Sequence, residues 1–309
     1  MTVARARAHT LEHVVSASQF DRGLLDSIFA RAAALEGTRG HSLAGRIMAT
    51  LFYEPSTRTR LSFESAMLRL GGSVLGTEAA YVFSSAMKGE TLEDTIRMVT
   101  AYADVIVLRH DQEGAAARAA AVSSIPLINA GDGPGEHPTQ SLLDLFTIDR
   151  ELGHIEGLHV AFCGDLRYGR TVRSLARLLA LYPGVRVSFV AHRVVQVGED
   201  VRRSLDERGV PYTLHERLDD VIADVDVVYQ TRVQKERFAD PEEFEVARGA
   251  IRIDAATMTR LGEHSIVMHP LPRVDEIAPE VDDDPRAAYF RQAANGVALR
   301  MALLEELLG

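Results

Sequence analysis

Ser56-Thr57-Arg58-Thr59-Arg60 alternates hydroxyls with guanidiniums. Those are the groups that hold a phosphate: arginine pairs bidentately with such an anion, and hydroxyls add neutral donors. Similar polar clusters recur along the chain, at Ser84 to Lys88, Arg109-His110, His137-Pro138-Thr139-Gln140, Arg167 to Arg170, Thr231 to Arg237 and His269-Pro270-Leu271-Pro272-Arg273. The set supplies at least four arginines, a lysine and a histidine, but no carboxylate pair and no Ser-His-Asp order. It suits binding and polarising an anionic substrate without a covalent intermediate. Plainer readings compete residue by residue: a helix cap for Ser56 or Thr57, a solvated surface lysine for Lys88, a structural helix-initial histidine for His137. Neither G-x-x-x-x-G-K-[ST] nor G-x-G-x-x-G is present, which argues against a nucleotide loop and a dinucleotide fold.

The elements that must position these groups are legible from apolar spacing. Ile47 to Tyr53 reads as a buried strand. Phe63, Ala66, Met67 and Leu70 have helical spacing, so Ser56 to Thr59 falls where a strand ends and a helix begins. There, free backbone N–H groups and the positive dipole end favour an anion. Further strands are expected at Ser73–Thr77, Asp104–Leu108, Ile125–Asn129, His159–Cys163, Val185–Ala191, Val225–Tyr229 and Ser265–Met268. Helices are expected over Phe20–Glu36 with Asp21 as cap, from Thr91, from Leu142, after Arg170, over Val201–Arg208, and along Tyr289 to Leu308. Strands alternating with helices predict an α/β chain with parallel sheets. Nearly every polar cluster follows the carboxyl end of a strand, where open sheets of this kind bind ligands. The prolines around Leu271 make a cis bond at Pro270 or Pro272 plausible.

At 309 residues, two domains are the better expectation, and the pattern restarts near Arg150 to Gly157. The composition, 46% hydrophobic and 25% charged, is ordinary for a globular protein. A net charge of −10 argues against a nucleic-acid partner, but an anionic small molecule needs only local arginines. The lone Cys163 excludes an internal disulfide framework and a cysteine-rich zinc site. Arg5, Arg7, His9 and Glu12 bring no apolar block, so no secretory signal is expected. No run reaches membrane-spanning length, and a cytoplasmic protein without a membrane partner is expected.

Taken together and in order, Ser56 to Arg60, Lys88-Gly89-Glu90-Thr91, His137 to Gln140, Gly164 to Thr171, Thr231 to Arg237 and His269 to Arg273 resemble the aspartate/ornithine carbamoyltransferase family. Pro270, where ornithine enzymes typically carry cysteine, and the Gly164 and Thr231 segments resemble its aspartate-using branch. The resemblance implies transfer of a carbamoyl group from carbamoyl phosphate to the α-amino group of L-aspartate, an early step of pyrimidine synthesis. It implies two domains, each a parallel sheet flanked by helices: 1–149 binding carbamoyl phosphate and 150–288 binding L-aspartate. A terminal helix, 289–309, would pack back on the first.

By the same resemblance, Ser56, Thr57, Arg58, Thr59 and Arg109 hold the phosphate. Thr59, Arg109 and His137 face the carbonyl oxygen, while Gln140 and the carbonyls of Pro270 and Leu271 take the carbamoyl NH₂. Arg170 takes the α-carboxylate of aspartate, and Arg232 and Gln234 the β-carboxylate, with Lys88, Leu271 and Pro272 also in the aspartate site. Ser84 and Lys88 would come from a neighbouring subunit of a homotrimer, which leaves room for regulatory or dihydroorotase chains. Glu54 would pair with Arg170 and Arg237 on domain closure, and the Leu271-Pro272 bond would be cis. No cofactor and no metal are expected.

Departures from the family pattern are Met87 in place of a lysine, one extra residue between Arg237 and Pro241, and Phe244 in place of a tyrosine. The last puts allosteric switching in doubt but not catalysis. An ornithine acceptor would need a cation site where Arg232 sits. A catalytically dead scaffold should have lost some of Arg58, Arg109, His137 or Arg232, and a nucleotide-dependent oxidoreductase lacks its fingerprint.

Overall fold

The computed structural model describes residues 11–78, 89–235 and 238–309. The chain forms two compact units, one of residues 1–133 with 297–309 and one of residues 134–296.

In the first unit, four strands, β1 (Ile47–Phe52), β2 (Ser73–Glu78), β3 (Val105–His110) and β4 (Leu127–Asp132), make a parallel sheet in the order β2-β1-β3-β4. α1 (Arg22–Leu35), α2 (Thr57–Arg69), α3 (Leu92–Val99) and α4 (Ala115–Val122) accompany it. β3 and β4 are buried along their whole length, and the apolar run of β3 from Val105 to Leu108 is what a strand covered on both faces gives. Ala49, Leu51 and Tyr53 of the central strand segment pack with Ile96, Val99, Ile106, Leu108 and Ala119. Asp21 caps α1 by accepting from the Leu24 N–H at 2.9 Å, as the sequence predicts.

The second unit carries β5 (His159–Cys163), β6 (Arg186–Val190), β7 (Tyr212–His215), β8 (Val227–Gln230) and β9 (Ile266–Met268), parallel in the order β7-β6-β5-β8-β9. Its helices include α5 (Pro138–Leu152), α6 (Arg170–Leu179), α7 (Glu199–Asp206), α8 (Pro241–Gly249) and α9 (Ala255–Arg260). The terminal helix α10 (Tyr289–Leu308) begins in this unit, and its later residues belong to the first. There Glu305 accepts from Arg31 at 2.5 Å and Ser42 at 2.6 Å, and Arg300 stacks over Phe63 at 4.8 Å.

Both sheets anchor their central strand in the same way. Asp104, just before β3, accepts the Ile47 N–H at the start of β1 at 2.8 Å. Asp226, just before β8, accepts the His159 N–H at the start of β5 at 2.7 Å. In each sheet this fixes the two strands between which the strand order reverses, and ligands collect outside the carboxyl ends of such a pair.

Several boundaries differ from expectation. β3 and β4 run on to His110 and Asp132, joined by His110↔Asp132 after a register shift, so polar residues read as loop belong to strands. β7 has no sequence signal because it is a sheet edge with an exposed, polar Thr213 and a partly exposed Tyr212. α8 also escapes the periodicity, although Asp240 caps it and Pro241 opens it. The sequence puts Phe290 on the apolar stripe of the terminal helix with Tyr289, Ala293 and Val297, yet it is 54% exposed. The Leu271–Pro272 peptide is cis.

Candidate functional site

Each unit presents its own polar edge at the reversal of strand order. In the first, that edge lies between β1 and β3. Ser56 is the N-terminal cap residue of α2, and its hydroxyl makes no capping hydrogen bond. The plain capping reading of Ser56 therefore fails. Thr57, Arg58 and Thr59 occupy the first turn, where N–H groups have no helical partner. Thr59 is buried, and Arg58 forms no ion pair with any described residue. Partial desolvation holds the Arg58 guanidinium below its ordinary range, which leaves it charged. Arg60 is different: it pairs with Glu64 one turn on, at 2.7 Å, and braces the helix.

Arg109 comes to this edge on β3, beside Phe52 in the sheet register. It is 8% exposed and is held by the Ala130 carbonyl at 3.2 Å and by Glu54 at 2.8 Å. Glu54, expected to reach Arg170 and Arg237, is thus an ion-pair partner of Arg109. A guanidinium braced on two acceptors is oriented before any ligand arrives, which lowers the ordering cost of binding. Ser84, Lys88 and Arg237 lie outside the described residues.

In the second unit the edge lies between β5 and β8. Gly164 ends β5 at φ 99°, in the left-handed region that favours glycine. Asp165 is fully buried and accepts the N–H groups of Tyr168 at 3.0 Å and Gln234 at 3.3 Å. Burial pushes its carboxyl up, while those N–H groups and nearby Arg232 oppose the shift. Thr231 ties the loops together, its hydroxyl donating to the Cys163 carbonyl at 2.9 Å. Arg170 begins α6 after Gly169, and Gln234 donates to the Tyr168 carbonyl at 3.4 Å. Arg170, Arg232 and Gln234 are all half-buried, as ligand-facing polar groups usually are. A cavity of about 260 Å³ opens beside Arg232, lined also by Gly164, Gln230, Lys235, Phe244 and Glu276. Phe244 contributes a ring and no hydroxyl there, packed against Phe238.

The second unit also holds His137, Gln140 and the Pro270-Leu271 turn. His137 is the N-terminal cap residue of α5 and is buried, with its Nδ1 3.5 Å from the Thr139 hydroxyl. Gln140 donates to Asp144 one turn on, at 2.8 Å. Leu271 has φ 55°, and its N–H donates to His269 Nδ1 at 2.8 Å. Arg273, beside this turn, is a structural residue, bound to Asp282 and to the Tyr289 hydroxyl. Among the described residues no group of His, Cys, Asp or Glu could hold a metal ion, and no helix is long and apolar enough to cross a membrane.

Sequence reasoning singled out no role for Asp144, Glu276 or Gln292. Their signal is burial of charge or amide, which spacing does not reveal. His269 lies in the polar segment after β9, where its spacing gives no sign of a role.

An α/β chain with an arginine-bearing strand-end edge in each of two units fits a transferase that handles two anionic substrates. Residues 12–150 match the model of the aspartate/ornithine carbamoyltransferase carbamoyl-P binding domain, and residues 156–307 that of the Asp/Orn binding domain. Aspartate carbamoyltransferase 1, chloroplastic, of Pisum sativum is 56% identical over 96% of this chain and 79% of its own length. The aspartate carbamoyltransferase catalytic subunit of Methanocella arvoryzae is 51% identical over 96% of this chain and 97% of its own. Aspartate transcarbamoylase of Trypanosoma cruzi, solved with N-(phosphonacetyl)-L-aspartic acid, superposes with a TM-score of 0.91 at 44% identity, covering 96% of each chain. The chain belongs to the aspartate/ornithine carbamoyltransferase family.

Proposed function

We propose that this chain is an aspartate carbamoyltransferase. It moves the carbamoyl group of carbamoyl phosphate to the α-amino group of L-aspartate, giving N-carbamoyl-L-aspartate and phosphate in de novo pyrimidine (UMP) biosynthesis. The observation that carries this reading is the near full-length likeness to aspartate carbamoyltransferases, in a chain that keeps arginines at both strand-order reversals.

The division of labour follows the chemistry of each group. Ser56, Thr57, Arg58 and Thr59, at a helix N-terminus, bind the phosphate together with Arg109. Thr59, Arg109 and His137 face the carbonyl oxygen, where negative charge grows as the amine attacks. Gln140 and the carbonyls of Pro270 and Leu271 accept from the carbamoyl NH₂. Arg170 takes the α-carboxylate of aspartate, and Arg232 with Gln234 takes the β-carboxylate, with Lys88, Leu271 and Pro272 completing that set. The amine lone pair forms the new C–N bond, and the C–O bond to phosphate breaks with its electron pair leaving on the phosphate. The amine proton passes to that phosphate, so no protein base and no covalent intermediate is required.

The working unit in this reading is a cytoplasmic homotrimer in which Ser84 and Lys88 serve a neighbouring subunit's site, and Glu54, Arg170 and Arg237 pair on domain closure. The plant relatives carry the description chloroplastic, so the compartment needs its own fractionation test. Two measurements test the assembly. Sedimentation should give three times the 33.9 kDa chain mass, and mixing inactive Lys88→Ala and His137→Ala chains should restore activity by pairing intact halves. A chemical test of the transfer itself is phosphate release: it must depend on aspartate. Release without aspartate would make the protein a phosphatase.

A further inference from the structure

We infer that a buried relay, Asp144–Gln292–His269–Glu276, sets the two groups that receive the carbamoyl NH₂, making these four positioning residues for the transfer. The inference rests on the assignment of Gln140, Pro270 and Leu271 made above. All members lie in the second unit. Asp144, Gln292, His269 and Glu276 are 0, 1, 1 and 6% exposed, so each polar atom must find its partner inside the protein.

Asp144 is where orientation is decided. Its Oδ1 accepts from Gln140 Nε2 at 2.8 Å and from Gln292 Nε2 at 2.6 Å, and its Oδ2 accepts from the Tyr229 hydroxyl at 2.6 Å. A carboxylate accepts and never donates, so both amides must turn their NH₂ groups toward it. The carbonyl oxygen of Gln140 is then directed away from Asp144, as an acceptor for an incoming NH₂. The carbonyl oxygen of Gln292 is likewise committed, accepting the His269 backbone N–H at 2.9 Å at the end of β9.

From His269 the relay continues to the turn. Leu271 N–H donates to His269 Nδ1 at 2.8 Å, so Nδ1 carries no proton. His269 Nε2 is 2.8 Å from Glu276 Oε1 and therefore donates to it. The other Glu276 oxygen accepts the N–H groups of Val274 and Asp275, each at 3.2 Å. Glu276 thereby fixes one ring tautomer, and that tautomer holds Leu271. Among the described residues Leu271 is the one non-glycine residue at positive φ. Such a conformation persists only where its surroundings impose it, and the bond to His269 is the constraint at hand.

Tyr229 is the titratable group bound to Asp144, and Glu276 shares its cavity with Arg232, Lys235, Glu245, Arg248 and Asp275. Neighbouring charges on α5 and α10 are engaged elsewhere, Arg150 with Asn295 at 3.0 Å and Arg291 with Glu151 at 2.7 Å.

Gln292→Glu tests the relay without touching any residue assigned to substrate. At pH 8 the new carboxylate would face Asp144 and repel it. At pH 6 a proton shared between the two would restore the lost donor. We expect kcat for carbamoyl-aspartate formation to fall about 10²-fold at pH 8, the scale of a misplacement near 1 Å. It should recover toward pH 6, with an unchanged thermal midpoint at pH 6. Parental kcat at pH 8, or a loss equal at both pH values, would overturn the relay. Should the variant fail to fold, the ¹⁵N ring signals of His269 in the unaltered protein decide. A protonated Nε2 with a bare Nδ1 is required, and any other ring state overturns the inference. An inactive parent chain showing that required tautomer would instead count against the functional assignment.

Discussion

A Cβ on Gly164 would meet the Thr231 carbonyl oxygen at 2.2 Å. The loops after β5 and β8 thus approach as closely as two backbones can, and only a residue without a side chain permits it. Gly164→Ala must push the Thr231 loop, and with it Arg232, out of place. It combines a steric clash with a left-handed φ, costing about 1–3 kcal/mol of stability. Calorimetry should show a lowered midpoint and steady-state assays a raised KM for aspartate. A substitution that leaves both unchanged would mean the loops are not set by this contact.

His137, buried at the start of α5, is assigned to the carbonyl oxygen. His137→Ala should therefore lower kcat, by about 10²–10³-fold for loss of one such donor, more than it raises KM for carbamoyl phosphate. A pure KM effect would sink the polarising role and return His137 to a structural one.

Arg232 is assigned to the β-carboxylate of aspartate, so it should carry the discrimination between acceptors. Arg232→Met removes a charge-assisted contact of about 1.5–3 kcal/mol, so KM for aspartate should rise at least about tenfold. KM for carbamoyl phosphate should stay near its parental value. Equal losses for both substrates would show a general collapse of the loop.

The strand-end placement of Ser56 to Thr59 and of Arg232 was legible from apolar runs and the groups that follow them, because fully buried parallel strands announce themselves. So were the α/β class and the cap at Asp21. The edge strand β7 was not, since Tyr212 to His215 buries too little to impose a pattern. Nor was the extension of β4 through Asp132, where polar side chains occupy strand positions whose role is fixed by neighbours far along the chain. Asp144 and Gln292 stayed silent for the same reason: 148 residues separate them, and their bond exists only after the chain folds. The Glu54–Arg109 pair was equally silent, because the neighbouring strand brings Arg109 to it.

Acid should loosen the second unit through Glu276. Its carboxylate is held below the ordinary value of 4.5; burial opposes ionisation, and the bonds from His269 and from backbone N–H groups outweigh it. A carboxylate depressed in the folded state stabilises above its unfolded pKa, and that stability is lost as pH falls through the folded value. Thermal midpoints should therefore drop below about pH 4.5, and Glu276→Gln should flatten that part of the profile. A variant with the parental acid profile would assign the acid loss to other carboxylates.

The most direct test of the whole account is colorimetric detection of carbamoylated product from the purified chain, with L-aspartate and L-ornithine as parallel acceptors. The account predicts carbamoyl-aspartate and no citrulline, because it gives the acceptor's side chain to Arg232 and Gln234 and not to a carboxylate. Citrulline formation, or no product from either acceptor, would contradict it.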